Sequence, residues 1–313
     1  MNSGDGKITP SLLPKDVFCF TFQTAICRHF VDVLVLSSRY PTPEKVRDEI
    51  LQMLKGTVSG TLCPALALTI SKGSAWHQSK VCHNIFCAKM LTALGMQAFC
   101  NAERGYLYDI ISFVAIWLGC DFFEWGYHYI GHKYQTMWNF HKAHHVFFNP
   151  SPFAVIADEY VDMFVRSSPL FIIPMLAPVN MDILWFTFAG FFYGYGTFIH
   201  WGYESPYLSA HNPIINTPFQ HYCHHAVSGP GKPYHTGFFF KIWDQMAGSV
   251  YPRCFCVRCQ QAQGKRERVQ WEKVVKPDYS VLLKPSFFFN KEALKFDQTV
   301  NEEMAFREGQ DAK

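Results

Sequence analysis

The stretch "HKAHHVFFNPSPF" (residues 141–153) sets His141, His144 and His145 within five positions and then turns apolar and proline-bearing. The same H-x-x-H-H pattern returns at His221, His224 and His225 in "HYCHH", and "HYIGH" places His128 and His132 four apart. On a helix, residues at i, i+3 and i+4 share one face, about 5–6 Å from each other. Each group therefore projects two or three imidazoles in one direction, and three such helices converging can hold two metal ions. Neutral imidazole ligates iron, zinc and copper alike, so ligation by histidine does not by itself select the metal. Burying so many imidazoles without a shared ion leaves donors and acceptors unpaired at about 1–3 kcal/mol each.

The neighbours of these groups are candidates to stand behind the ligands. Asp121, Glu124, His128 and His132 follow at intervals of three, four and four, which lines them along one helical stripe. A carboxylate there can accept the outer N–H of a ligating imidazole, or it can reach interfacial water at the helix end. His200, in "TFIHWGYE" at the end of an apolar run, faces the proposed site as a ligand or as a residue behind one, with Glu204 four positions on. Asp158 and Asp162 read either as partners of the ligands or as a polar helical face, and Glu159 as the latter. His29, His77 and His83 have no partner at metal spacing and read as surface or structural; His211 reads as a loop residue.

Hydrophobic residues make up 49% of the 313, yet the mean hydropathy is −0.02, so apolar residues are gathered into blocks. "YLYDIISFVAIWLGCDFFEW" (106–125) approaches the roughly 20 residues a bilayer helix needs. Residues 167–179 and 183–199, joined by "NMD", read as a helical hairpin. "TVSGTLCPALALTI" (57–70) is too short to cross without help from its flanks, and the run before residue 40 reads as an interfacial or core helix. The fold class expected is all-α, a polytopic membrane helical bundle with a histidine-rich di-metal cap. Lys133, Lys142, Arg166, Lys232 and Lys241 flank the histidines while "NMD" carries no cation, which places the cap on the cytosolic side. Lys72, Lys80, Lys89 and Arg104 fit poorly with a lumenal 71–105 loop. Residues 1–105 form an N-terminal region with possible first spans, 106–253 the catalytic region, and 254–313 a cytosolic tail, partly helical.

A net charge of +3 with no basic stripe argues against nucleic acid as a partner. Eleven cysteines without a paired framework suit reduced thiols. "CFCVRC" gathers Cys254, Cys256 and Cys259, but structural zinc needs four ligands, so reduced cysteines packed near a membrane surface are the favoured reading.

In the order "HYIGH", "HKAHH", "HYCHH", with a membrane hairpin between the second and third groups, residues 106–253 resemble the fatty acid hydroxylase superfamily of membrane di-iron enzymes. "NPSPFAVIADEYVDMFVRSSPLFIIPM", "PIINTPFQHYCHH" and "KIWDQMAGSVYP" are similar to sterol C-5 desaturases of the lathosterol oxidase type. The chain departs from that group at Glu159 and Tyr160, where a His-Pro pair is usual, and at "HTG" (235–237), where Asn-Tyr-Gly is usual. "HWGYESP" leans toward the methyl oxidase and hydroxylase branches.

The resemblance implies that His128, His132, His141, His144, His145, His200, His221, His224 and His225 hold two Fe2+ ions. Asp121, Glu124, Glu204, His235 and Asp244 would stand behind them. It also implies an endoplasmic reticulum location and dioxygen-dependent oxidation of a sterol or related lipid. C-5 desaturation is the first expectation, and hydroxylation or C-4 methyl oxidation the alternative. No H-P-G-G or G-x-G-x-x-G stretch is present, so electrons would come from cytochrome b5 and its NAD(P)H-dependent reductase. A non-catalytic metal-binding membrane protein is the rival of another class. A metal transporter is disfavoured because its ligands belong at the bilayer midplane, not beyond the span ends.

Overall fold

The 28 residues Tyr106–Lys133 form a single helix, about 42 Å long at 1.5 Å per residue. Among the described residues it is the one helix long and apolar enough to cross a bilayer, with a mean hydropathy of 1.5 over its apolar window. Just 17% of that window is buried inside the protein, and Leu107, Ile110, Ile111, Val114 and Leu118 are exposed. Such a face suits lipid better than water. The histidines come at the far end of this helix, past the apolar stretch. The computed structural model describes residues 34–35, 40–70, 105–176, 179–205, 207–263 and 277–290.

In chain order the elements are β1 (Leu34–Val35), α1 (Pro43–Gly60), α2 (Leu62–Ile70), α3 (Tyr106–Lys133), α4 (Gln135–His145) and a 3-10 turn at Pro152–Ile156. There follow α5 (Tyr160–Ser167), α6 (Pro169–Leu176), α7 (Met181–Phe186), a π-helical stretch Thr187–Gly194, α8 (Tyr195–Ile199) and β2 (Tyr203–Glu204). α9 (Pro218–Val227), α10 (Ile242–Ala247), α11 (Val257–Ala262), a 3-10 turn Tyr279–Leu283 and α12 (Pro285–Phe288) complete the series. The fold is thus mostly helical. One correction to an all-α reading is the short antiparallel pair β1–β2, in which Leu34 faces Glu204.

α1 begins where Thr42 accepts from the Lys45 amide and Pro43 presets the first helical φ. Its inward face is polar and small: Glu49, Gln52, Gly56, Ser59 and Gly60 are buried against α5 and the 152–156 turn. Gln52 donates to the Asp158 carbonyl at 2.8 Å, Ser59 to the Tyr160 carbonyl, and Glu49 accepts from the Ser151 amide and hydroxyl. Gly56 lies so close to the Ile156 carbonyl that any Cβ there would collide with backbone. α1 therefore clamps the segment that follows the second histidine group. α2, nine residues long, packs on α5 and α6.

The two runs expected to pair as a hairpin are both helical where described. α6 is described as far as Leu176, Asn180 caps α7 by accepting from the Asp182 amide at 3.0 Å, and the second leg passes through the π stretch before reaching α8. Leu170, Val179, Leu184 and Phe188 pack with Ile116 and Cys120 of α3. α9 starts on a capping box between Thr217 and Gln220, and Gln220 also donates to the Ala210 carbonyl at 2.8 Å. α10 ends at Gly248, whose φ of 67° belongs to glycine.

Beyond α11 the described tail folds back on the body rather than trailing from it. Tyr279 donates to the Pro41 carbonyl at 2.7 Å, and the Arg47 guanidinium lies 5.1 Å from the Phe287 ring. The run before residue 34, the 71–104 segment with its cations, His29, His77, His83, and the charged stretches after 263 and 290 lie outside the described residues.

Candidate metal centre

All nine histidines expected at the metal converge, in two adjoining groups. His128, His132, His141, His145 and His224 form the first, and His144, His200, His221 and His225 the second. The split cuts across each H-x-x-H-H group. The i, i+4 pair of α4 (His141, His145) joins the first group and its middle member His144 the second; in α9 the pair His221, His225 joins the second and His224 the first. α3 supplies His128 and His132 to the first group, and the residue after α8, His200, stands on the other side. The groups touch, with the His144 and His225 ring centroids 4.7 Å apart and those of His145 and His225 4.9 Å apart.

The ring orientations explain why the Nε2 atoms meet. His128 Nδ1 faces the Thr236 carbonyl at 3.0 Å, His132 Nδ1 that of Gly229 at 3.3 Å, His224 Nδ1 that of Tyr234 at 2.7 Å and His200 Nδ1 that of Gly196 at 2.7 Å. A carbonyl accepts and cannot donate, so each Nδ1 carries the hydrogen and each Nε2 is left with a free lone pair. His141 is fixed in the same sense by Asp162 Oδ2 at 2.8 Å. The inward Nε2 atoms then crowd together: His141 and His145 at 3.1 Å, His145 and His224 at 3.1 Å, His200 and His221 at 2.8 Å, His221 and His225 at 3.2 Å.

In the first three of these pairs one Nε2 belongs to a ring whose Nδ1 already carries the hydrogen, so a lone pair is available there for a metal ion. Ligands at right angles around a metal, each about 2.1 Å away, are about 3.0 Å apart, which matches these separations. The buried Nε2 atoms of His128 and His132 have no hydrogen-bond partner. The residues present fit a pair of metal ions. Burial, reinforced by neighbouring imidazoles, holds His144, His145, His221, His224 and His225 well below the ordinary histidine value, so they are neutral and able to ligate.

Charge beside the groups sits in a cluster only partly foreseen. Arg166 was expected among the cytosol-side cations, but its side chain is 15% exposed and pairs with Glu124 at 2.5 Å and Asp158 at 2.6 Å. Asp158 Oδ1 also approaches His144 Nδ1 to 3.3 Å. Burial raises the Asp158 carboxyl to about 7 against the pull of Arg166. Burial acts on Asp162 in the same direction, but His141 beside it prevails and leaves that carboxyl below its ordinary value. Asp158 and Asp162 thus face the histidines. Glu159 pairs with Lys55 at 2.8 Å, partly exposed, as a surface residue does.

The other acids and His235 hold backbone. Asp121 is fully buried rather than at interfacial water, and accepts from the Phe239 and Phe240 amides and Trp243 Nε1. Glu124, also buried, has Arg166 as its partner rather than an imidazole. Asp244 accepts from the Thr236 and Gly237 amides and the Ser249 hydroxyl, so it shapes the loop whose Thr236 carbonyl orients His128. A Cβ on Gly237 would lie 2.7 Å from Asp244 Oδ2, so this loop closes only around glycine. His235, at φ 50°, accepts at Nε2 from the Tyr251 amide. Glu204 accepts from the Val257 amide at 3.2 Å and lies 3.5 Å from Arg258.

The arrangement defines a histidine-rich site consistent with two metal ions, built where an apolar, span-length helix ends. Residues 113–249 match the model of the fatty acid hydroxylase family, so this segment is similar to that family. A probable Delta(7)-sterol 5(6)-desaturase of Neurospora crassa is 28% identical over 145 residues, 46% of this chain and 40% of that protein. The Delta(7)-sterol 5(6)-desaturase of Leptosphaeria maculans is 33% identical over 112 residues, 35% and 28% of the two chains. Lathosterol oxidase of Rattus norvegicus is 27% identical over 157 residues, 49% of each. The matched region spans less than half the length of these relatives, and no solved structure matches.

Proposed function

We propose that the chain is a membrane-bound, dioxygen-dependent non-haem di-iron oxidoreductase acting on a sterol or related lipid, with C-5 sterol desaturation as its reaction. The observation that carries this reading is the convergence of nine buried imidazoles in two adjoining groups, each with its ligand atoms within 4.8 Å of one another. The nine histidines are the ligands, five on one iron and four on the other. When bound, the iron pair supplies the dioxygen chemistry that breaking an unactivated C–H bond requires.

The chain's own residues orient the ligands and admit the lipid. A cavity of about 520 Å³ lies along α3, lined by apolar side chains including Ile111, Ile116, Phe123, Ile172 and Val179. That size and character suit a rigid apolar ligand. A narrower cavity shares Cys120, Phe123 and Pro169 with it and is walled by Glu124 and Arg166. Arg166 pairs in turn with Asp158, which adjoins His144. A lipid entering from the bilayer face of α3 therefore meets the histidines across one ion-paired partition.

Iron, electron delivery by cytochrome b5 and its NAD(P)H-dependent reductase, an endoplasmic reticulum location with the histidines facing the cytosol, further spans in the 167–199 hairpin and the 106–253 catalytic boundary belong to the same proposal. Hydroxylation or C-4 methyl oxidation is the second reading. It is favoured by "HWGYESP" and by His235, which stands where the desaturases usually have Asn and adjoins the Thr236 carbonyl that orients His128. The departure at Glu159 lies on the surface pair with Lys55, away from the histidines.

Expression in a yeast lacking its sterol C-5 desaturase, followed by sterol profiling, tests the proposal. New 5,7-dienes support desaturation. Oxygenated sterols replace it by the second reading, and an unchanged profile from a stably inserted, iron-loaded chain overturns sterol oxidation.

A further inference from the structure

"CFCVRC" seemed to lack a fourth ligand. The fold supplies it from 43 residues upstream: His211, in the turn before α9, brings Nε2 to 3.2 Å from Cys259 Sγ, 3.4 Å from Cys256 Sγ and 3.8 Å from Cys254 Sγ. All four donor atoms lie within 4.8 Å of one another. We propose that His211, Cys254, Cys256 and Cys259 form a structural zinc site, separate from the histidine centre.

Tetrahedral zinc holds sulfur at about 2.3 Å and imidazole nitrogen at about 2.0–2.1 Å, which puts ligand sulfur and nitrogen about 3.6 Å apart. The three observed separations bracket that edge. The donor set, three thiolates and one imidazole, is a closed structural zinc set with no open position. A second feature points the same way: the Cys259 amide, at the first turn of α11, donates to Cys256 Sγ at 3.4 Å. Such a bond favours a thiolate over a thiol, and a thiolate is what zinc requires. All three cysteines are free, and Cys256 is fully buried. The cysteines also lie past residue 249, where the family match ends.

The site's position indicates what it does. The turn bearing His211 is the one whose Ala210 carbonyl receives Gln220 of the α9 capping box and Lys241 Nζ at 3.0 Å. Cys256 packs in one apolar cluster with Ala210, Phe219, Tyr222, Cys223 and Ala226. Zinc thus pins the segment after the catalytic region onto α9, the helix carrying His221, His224 and His225, on the face away from the metal pair.

The test uses the full-length chain purified in detergent. Cobalt replacing zinc should show thiolate-to-cobalt charge-transfer absorption, a signature that a histidine-only centre cannot give. Zinc analysis should find one equivalent that Cys259→Ser and His211→Ala each remove, while metal at the nine histidines stays. Limited proteolysis of these variants should cut near residues 254–263, where the zinc-loaded chain resists. The cobalt spectrum of the unsubstituted chain decides the matter if a variant does not fold. Absence of the charge-transfer band, a disulfide among the three cysteines, or thiols alkylated as fast in the zinc-loaded native chain as in the unfolded one would each overturn the site.

Discussion

His145 Nε2 lies 3.1 Å from His224 Nε2, joining α4 to α9 across 79 positions of sequence, while His144, next in the chain, faces the other group. On the proposed two-ion reading, adjacent residues would serve different metal ions. His145→Ala should lower metal content at the first group and His144→Ala at the second, so each variant retains about one ion of two. Both should abolish lipid oxidation without affecting membrane insertion. Metal analysis on membranes and detergent extracts checks this, and an active His144→Ala chain would sink the two-ion account.

Asp162 orients His141 from behind, at 2.8 Å from Nδ1. Replacing Asp162 with Asn keeps the shape and removes the charge that holds the ring. Outer partners of this kind are worth about 10–100-fold in metal affinity or activity. The expected result is a loss in that range, read by titrating metal back into chelated protein. Tyr127 shares the same carboxylate, so Tyr127→Phe should cause a smaller loss.

Arg166 stands between Glu124 and Asp158, both buried. Arg166→Met strands two carboxylates, and breaking a buried pair costs about 3–5 kcal/mol. Thermal unfolding in detergent should show a large fall in stability. Adding Glu124→Gln and Asp158→Asn to Arg166→Met should recover much of it, because no charge is then left alone.

Glu49 gives the fold a pH dependence distant from the metal ligands. Burial raises its carboxyl from 4.5 to about 8. A carboxyl raised on folding favours the folded state below its unfolded value, and that contribution is lost as pH rises through the folded value. The contribution of Glu49 to stability should therefore decline from about pH 4.5 to about pH 8. Glu49→Gln should remove that component, so the variant gains on the parent chain as pH rises through this range. Chemical denaturation at several pH values measures the difference.

The nine histidines were legible because i, i+3 and i+4 spacing is a property of any helix and survives whatever packs around it. Their division was not. Which of His141, His144 and His145 meets which partner depends on where α9 lies, and no local pattern encodes that. Asp158, Asp162 and Arg166 resisted reading for a related reason. Asp162 and Arg166 lie on an eight-residue helix and Asp158 just ahead of it, and such a mix of charges looks like a solvated face until α3 and α4 are set against it. Arg166 is one of the cations that flank the histidines in sequence, and the structure pairs it with Glu124 and Asp158. His211 and the three cysteines show the same limit, since a donor set spread over 48 positions is visible only once the turn and the segment leading into α11 meet. Span-length apolarity in 106–125 was plain, and the π-helical stretch in the later apolar run was not, because such a stretch has no simple periodicity.

The central claim is that two irons on nine histidines oxidise a lipid, and oxygen consumption by the purified, iron-loaded chain tests it most directly. With cytochrome b5, its reductase, NAD(P)H and a Delta(7)-sterol, the account predicts about two irons per chain, oxygen uptake dependent on the sterol, and a matching yield of oxidised sterol. No sterol-dependent uptake from a chain carrying both irons would contradict it.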